Sequence, residues 1–567
     1  MNQPSPAIVT QEAARRLPRA VLWLLSLAYI LPGYLGRDPW RGADMASLGF
    51  MRQLQQAGNL SEWLQPQLFG LAADPATLLP YWLGAGALLI APEALPAHWV
   101  VRLPFMLMLL GTLAASWYAI YHLARHASAQ PVAFAFGGEA RPVDYARALA
   151  DGGLLALIAT LGLAQFSHEA APALVQLFFS SLIFYALAAL PAGNGAALPA
   201  LLLGLPGLML SGAPGMAVVY GAAGILLLLH PGNARRNTSV ALLAAVTVIC
   251  LLIAWSASWL DTSKLLELRT EAGDWSSLAR LMLWFGWPAW LLALWTLWRW
   301  RRQLLRPSSY RHLSLPLLMA GVPLAHVLLS RHGYDRSLLL SLPGLAALAA
   351  FALPTLRRSA SALIDWFTVL FFTAAAIVIW VVWISLQTGV PAKPAANVGR
   401  LAPGFESIFQ WPALLAAVLG TLAWLALVRW RTGRHRTALW KSLVLPAAGA
   451  TLCWLLLMSL WLPALDYGRS EAAQMRQVQA LLGPDAGCVQ THGLNASQLS
   501  ALNYFGGWTP QLAAATDADA VACPWLIVDI AATDDAAAQR PMTDWQLLGH
   551  AQRPTRRDDM LLVYGRR

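Results

Sequence analysis

AVLWLLSLAYILPGYLGRDPWRGADMASLGFM, residues 20–51, contains the transition that decides the fold. Ala20–Leu35 is an almost wholly apolar run, and Gly36–Met51 is polar, with Arg37, Asp38, Arg41 and Asp44. Arg15, Arg16 and Arg19 precede the run. Lys and Arg gather in short cytoplasmic loops and set the orientation of membrane helices. No small-residue cleavage site stands before Arg37, so the run is expected to be an uncleaved first membrane helix with its N-terminus inside. The carboxylates that follow it then emerge on the outer face.

The rest of the chain repeats this pattern. Of 567 residues 58% are hydrophobic and 12% charged, about half the charge of an ordinary soluble domain. With 27 Trp, 42 Gly and 36 Pro, a disordered chain and a coiled coil are excluded. The 39 Lys+Arg against 28 Asp+Glu are explained by topology rather than by a nucleic-acid partner. Every second loop after residue 230 is basic: Arg235 and Arg236; Arg299 to Arg311; Arg357 and Arg358; Arg429 to Lys441. Apolar runs of membrane-crossing length fall at about 20–35, 99–123, 145–166, 171–193, 197–212, 214–230, 238–259, 280–298, 313–330, 337–355, 361–387, 410–429 and 441–464. The expectation is an all-α polytopic bundle of about 13 spans, whose odd number leaves the C-terminus outside. An outer loop covers 36–98, and within it LPYWLGAGALLI, Leu79–Ile90, is short enough to lie along the interface.

After residue 464 the composition turns polar. Short β-like runs occur at Cys488–Thr491, Trp525–Ile530, Trp545–Gly549 and Met560–Tyr564, with a helical stretch at Ala496–Phe505. Residues 465–567 therefore read as a small periplasmic α/β domain. Cys488 and Cys523 fall in it, whereas Cys250 and Cys453 fall in helices. A 488–523 disulfide suits an oxidising compartment, with two unpaired thiols as the alternative.

The chain contains no P-loop, no Gly-rich dinucleotide turn, no HExxH and no CxxC pair, so soluble-type nucleotide, zinc and redox chemistry have no local support. No metal ligand set or resident cofactor is expected, although a divalent metal is not excluded. The outer loop is the richest chemical stretch. A carboxylate at the membrane face can act as general base on an acceptor hydroxyl; Asp38 can equally cap the next helix or pair with Arg37 or Arg41. His168 and Glu169 end the third span on the outer side, as a functional pair or a mutual contact.

The order PGYLGRDPW (Pro32–Trp40), LPYWLG (Leu79–Gly84), VRLPFML (Val101–Leu107) and SRHGYDRSLLLSLPGLAAL (Ser330–Leu348), closed by WLPALDYGRS (Trp461–Ser470) and GCVQTHGLNASQLSALNYFGG (Gly487–Gly507), resembles the bacterial aminoarabinose transferase and protein O-mannosyltransferase superfamily. That resemblance implies the C-type glycosyltransferase fold over residues 1–464, in the bacterial inner membrane. It also implies transfer of a sugar from a polyprenyl-phosphate carrier, a substrate rather than a cofactor, to a lipid or glycan acceptor such as lipid A. The family's loop aspartate sits in an Asp-Glu pair; here the matching residues are Asp44-Met45, so Asp44 is the implied base and Asp38 the second choice. Where many members have Lys-Pro-Pro, this chain has Asp74-Pro75-Ala76. Arg102, Arg269, Arg331, Tyr334 and Arg336 are therefore the candidates for carrier phosphate, with His332 beside them. A lipid-linked sugar flippase and a non-catalytic family member remain the alternative classes.

Overall fold

A computed structural model describes residues 5–229, 236–260, 272–306, 309–329, 334–432, 438–483, 487–512, 523–533, 536 and 544–567. Helix α1 (Arg19–Tyr34) is followed on the outer loop by α2 (Ala43–Gln55), α3 (Leu60–Leu64), a two-residue-loop hairpin β1 (Gln67–Leu68) and β2 (Leu71–Ala72), and α4 (Leu79–Ile90). Then come α5 (Ala97–Arg125), α6 (Pro142–Ala159), α7 (Leu161–Phe166) and α8 (Pro172–Ala189). Proline opens α6 and α8 at the first helical position, where its missing N–H is not needed.

Among the described residues six helices are individually long and apolar enough to cross a membrane, and two bent pairs raise this to eight. Shorter apolar helices lie at Arg19–Tyr34, Ala197–Met209, Pro214–Leu226 and Leu342–Thr355, within runs expected to span. The 280–298 run differs from expectation. It belongs to two helices, Ala272–Phe285 and Ala289–Arg299, bent by 88° at Gly286-Trp287-Pro288, because proline removes a helical hydrogen bond and clashes with the preceding turn. The 441–464 run bends likewise, by 71°, between Lys441–Leu457 and Leu462–Arg469.

Helices α5, α6 and α8 form the buried centre, and nearly all of α6 is inaccessible. Helices α1 and α6 run the same way. At one end Asp144 of α6 accepts from Arg16 (2.9 Å) and Gln11 (2.9 Å). At the other end, α1 and the α7–α8 turn meet so closely that a Cβ on Gly33 would lie 2.2 Å from the His168 ring. That contact requires glycine.

The C-terminal sheet domain has five strands in the order β4-β3-β5-β7-β6: β3 (Cys488–His492), β4 (Thr509–Leu512), β5 (Trp525–Asp529), β6 (Trp545–Arg553) and β7 (Arg556–Arg566). β3 runs parallel to β4 and β5, whereas β7 is antiparallel to β5 and β6. Helix Ala496–Gly506 starts with a capping box, in which Asn495 and Gln498 exchange side-chain-to-backbone hydrogen bonds. This satisfies two otherwise orphaned N–H groups. Cys488 and Cys523 are disulfide-bonded, with Cα atoms 5.4 Å apart, while Cys250 and Cys453 carry free thiols.

Candidate active site

The end of α1 where Gly33 meets His168 carries the site. Gly42, with φ +92° and ψ −133°, turns the chain into α2, a conformation open to glycine. Asp44 follows in the first turn of α2, where the helix dipole favours a negative charge. It is 2% exposed and fully engaged. One carboxylate oxygen accepts from Arg37 (2.9 Å), Arg102 (3.4 Å) and the Trp40 N–H (3.2 Å). The other accepts from the Ala170 N–H (2.9 Å). Burial alone would raise its pKa, but the two guanidiniums and two backbone N–H groups hold it below the usual carboxylate range.

Arg102, on α5, also donates to the carbonyls of Arg37 and Asp38, and so pins the α1–α2 connection to the bundle. Arg37 is 0% exposed. Its Nη2 is used on Asp44 and on the His168 carbonyl (2.8 Å), yet its Nε and Nη1 have no partner among the described residues. Two orphaned donors on a buried cation are costly, and they mark a place suited to an anion.

Glu169 lies one residue before Ala170 and pairs with Arg336 (3.0 Å). Burial pushes its carboxyl above the ordinary value, and Arg336 opposes the shift only in part. Arg336 reaches toward solvent, with its side chain 34% exposed. On the opposite side the Trp40 ring is flanked by Arg37 at 4.5 Å and Arg469 at 4.9 Å. Its Nε1 donates to Asp466 (2.8 Å). Asp38 sits at this margin, half-buried, its N–H on Asp466 (3.3 Å) and its carboxyl raised by burial.

Of the candidates named from sequence, Asp44, Glu169, Arg102 and Arg336 therefore share one charged cluster, with Asp38 at its edge. His168 supports it from below: its ring is buried against Tyr29, Tyr34 and Trp454. Arg269, Arg331 and His332 lie outside the described residues, as does the Tyr334 side chain. Sequence reasoning missed Arg37 and Arg469 as site cations. Arg37 was legible only as an arginine beside an aspartate, a pairing with many innocuous explanations, and Arg469, between Gly468 and Ser470, carried no signal at all. No group of three metal-ligating side chains gathers among the described residues.

The outer loop is locked to the sheet domain by buried polar contacts. Gly42 N–H donates to Ser497 Oγ (2.9 Å), and Ser497 donates to Glu471 (3.1 Å). Arg41 reaches Glu471 (3.7 Å) and Asp559. Burial raises the Glu471 carboxyl to about 7 against the pull of Arg41. A carboxyl raised by folding favours the folded state below its unfolded pKa and loses that contribution as pH rises through the folded one. Melting temperature is therefore expected to fall between about pH 4.5 and 7, a span worth about 3 kcal/mol at most. Glu471→Gln should remove that pH-dependent part in thermal scans of the detergent-solubilised protein.

An apolar groove lies against the helix that carries Arg336. It has a volume of about 370 Å³ and is lined by residues of the bent pair, including Phe285 and Trp290, and by Leu338, Ser341 and Leu342. Leu338 stands two residues beyond Arg336, in helix Tyr334–Leu339.

The sequence matches no family model and no curated protein. The structure is similar to the crystal structure of ArnT from Cupriavidus metallidurans bound to undecaprenyl phosphate, with TM-score 0.61, 15% identity, and 96% of this chain and 97% of that chain covered. It is also similar to the apo state of the same protein, with TM-score 0.58, 14% identity, and 96% and 97% covered. Over nearly its whole length, this chain has the ArnT fold: a membrane helical bundle with a small C-terminal sheet domain.

Proposed function

We propose that this protein is an integral-membrane glycosyltransferase that moves a sugar from a polyprenyl-phosphate carrier to an acceptor on the periplasmic face, such as lipid A or another envelope glycan. The observation that carries this reading is Arg37, a wholly buried guanidinium with two donors unpaired among the described residues, which acts on the same Glu169 carboxylate as the partly exposed Arg336. Guanidinium forks suit phosphate oxygens in charge and geometry. The apolar groove that begins past Arg336 gives an isoprenoid chain a place next to that phosphate. The ArnT match supports the same carrier, since that protein was crystallised with undecaprenyl phosphate. The disulfide supports an outer, oxidising location for the sheet domain.

In this reading Asp44 organises the cations, and Glu169 is the base. The acceptor hydroxyl attacks the anomeric carbon, polyprenyl phosphate leaves with the bonding electrons, and the hydroxyl proton passes to the Glu169 carboxylate. Arg336 exchanges Glu169 for the carrier phosphate as the donor binds. The raised pKa of Glu169 suits it to receive a proton better than the depressed one of Asp44. Arg336→Ala is expected to weaken undecaprenyl phosphate binding by about tenfold or more, the effect of losing one charge-assisted hydrogen bond. A titration of purified protein in detergent measures this, and unchanged affinity removes Arg336 from the phosphate site.

A further inference from the structure

The outer loop holds a second concavity, of a different chemistry. A cleft of about 460 Å³ between α2, α3 and the β1–β2 hairpin is lined by Gln53, Ser61, Glu62, Gln65, Gln67 and Phe69. Its size falls in the range of small-ligand pockets. No Lys, Arg or His lines it, so a phosphate finds no cation there. Three carboxamides and a hydroxyl each offer both donors and acceptors, which is what the hydroxyls of a sugar require. The three glutamine amides make no side-chain hydrogen bond among the described residues.

Phe69 is the unusual member. It has φ +51° and Gly70 follows with φ +93°, so the hairpin turns through two left-handed residues. Asn, Asp and Gly accept that conformation, whereas a bulky side chain is strained in it. Backbone strain is retained where a site uses the residue that bears it. Phe69 lines the cleft while packing in part against the core, and it offers an apolar surface for the C–H side of a sugar ring.

We propose that this cleft is a carbohydrate subsite that holds an uncharged oligosaccharide, the glycan of the acceptor. The word acceptor rests on the transferase reading; the binding itself does not. Gln53 lies nine residues after Asp44 on α2, about 14 Å along the helix at 1.5 Å per residue. The cleft and the charged cluster thus lie toward opposite ends of α2.

The test is saturation-transfer NMR on the full-length protein in detergent, with chitotriose and mannotriose as probes and inorganic phosphate as a competitor. Binding of at least one trisaccharide, indifferent to phosphate, is expected. Phe69→Gly should weaken it at least tenfold. The double variant Gln53→Ala/Gln67→Ala should weaken it similarly, and Glu169→Gln should not. Two results overturn the proposal: no binding of either sugar, or binding undiminished in both cleft variants. Undecaprenyl phosphate titrated into the same samples separates the two ideas. Sugar binding without carrier binding sinks the transferase reading and keeps the cleft, and the converse does the reverse.

Discussion

Asp44→Asn is expected to destabilise the protein by about 3–5 kcal/mol, as removal of one partner from a buried ion pair does. The substitution leaves Arg37 and Arg102 buried around a neutral amide. It also weakens the hydrogen bonds that tie α2 to the α7–α8 turn. The measurement is the melting temperature and the monodisperse fraction in detergent. A double substitution that replaces Arg37 with Met and Asp44 with Leu should recover only part of the loss, because it removes one of the two stranded charges and leaves Arg102 buried. The opposite outcome is informative: if Asp44→Asn melts like the parent yet transfers no sugar, then Asp44 is the base and Glu169 is not.

Glu169→Gln is expected to do what Asp44→Asn does not, lowering kcat by about 10²–10⁴, the usual contribution of a general base, while the fold persists. The amide keeps the shape of the Glu169–Arg336 contact but takes no proton. The pH profile provides a second signature. A base works when deprotonated, so activity should fall as pH drops through the Glu169 pKa. Burial places that limb above the ordinary 4.5 of a glutamate. Arg336 holds the carboxyl down, so Arg336→Gln should move the limb to still higher pH. A limb that ignores both substitutions assigns the proton transfer to another group.

Much of the architecture was legible because the strongest forces leave periodic traces. Long apolar runs marked the helices, and the β-like runs at 488–491 and 525–530 are strands β3 and β5. Strand β4 escaped notice: Thr509–Leu512 contains Pro510 and no alternation, and only its pairing beside β3 makes it a strand. The bend at Trp287-Pro288 was also hidden, since hydropathy is blind to helix direction. In the site, order along the chain drew attention to Asp44, Glu169, Arg102 and Arg336. It could not show that Asp44 is sealed between two arginines, because 58 residues separate Asp44 from Arg102 and 126 separate it from Ala170. Which carboxylate is spent on structure and which is left for chemistry is decided by burial and partners.

The central claim is sugar transfer onto an envelope glycan, and mass spectrometry tests it most directly. Lipid A, other envelope glycolipids and periplasmic glycans would be compared from cells with the gene, without it, and with Glu169→Gln in its place. The account predicts that a defined sugar mass disappears on deletion, returns with the parent gene and does not return with Glu169→Gln. Unchanged glycans on deletion would contradict it; lipid-linked sugar accumulating on the cytoplasmic side, with the transfer reaction retained in detergent extracts of the deletion cells, would contradict it too and identify a flippase.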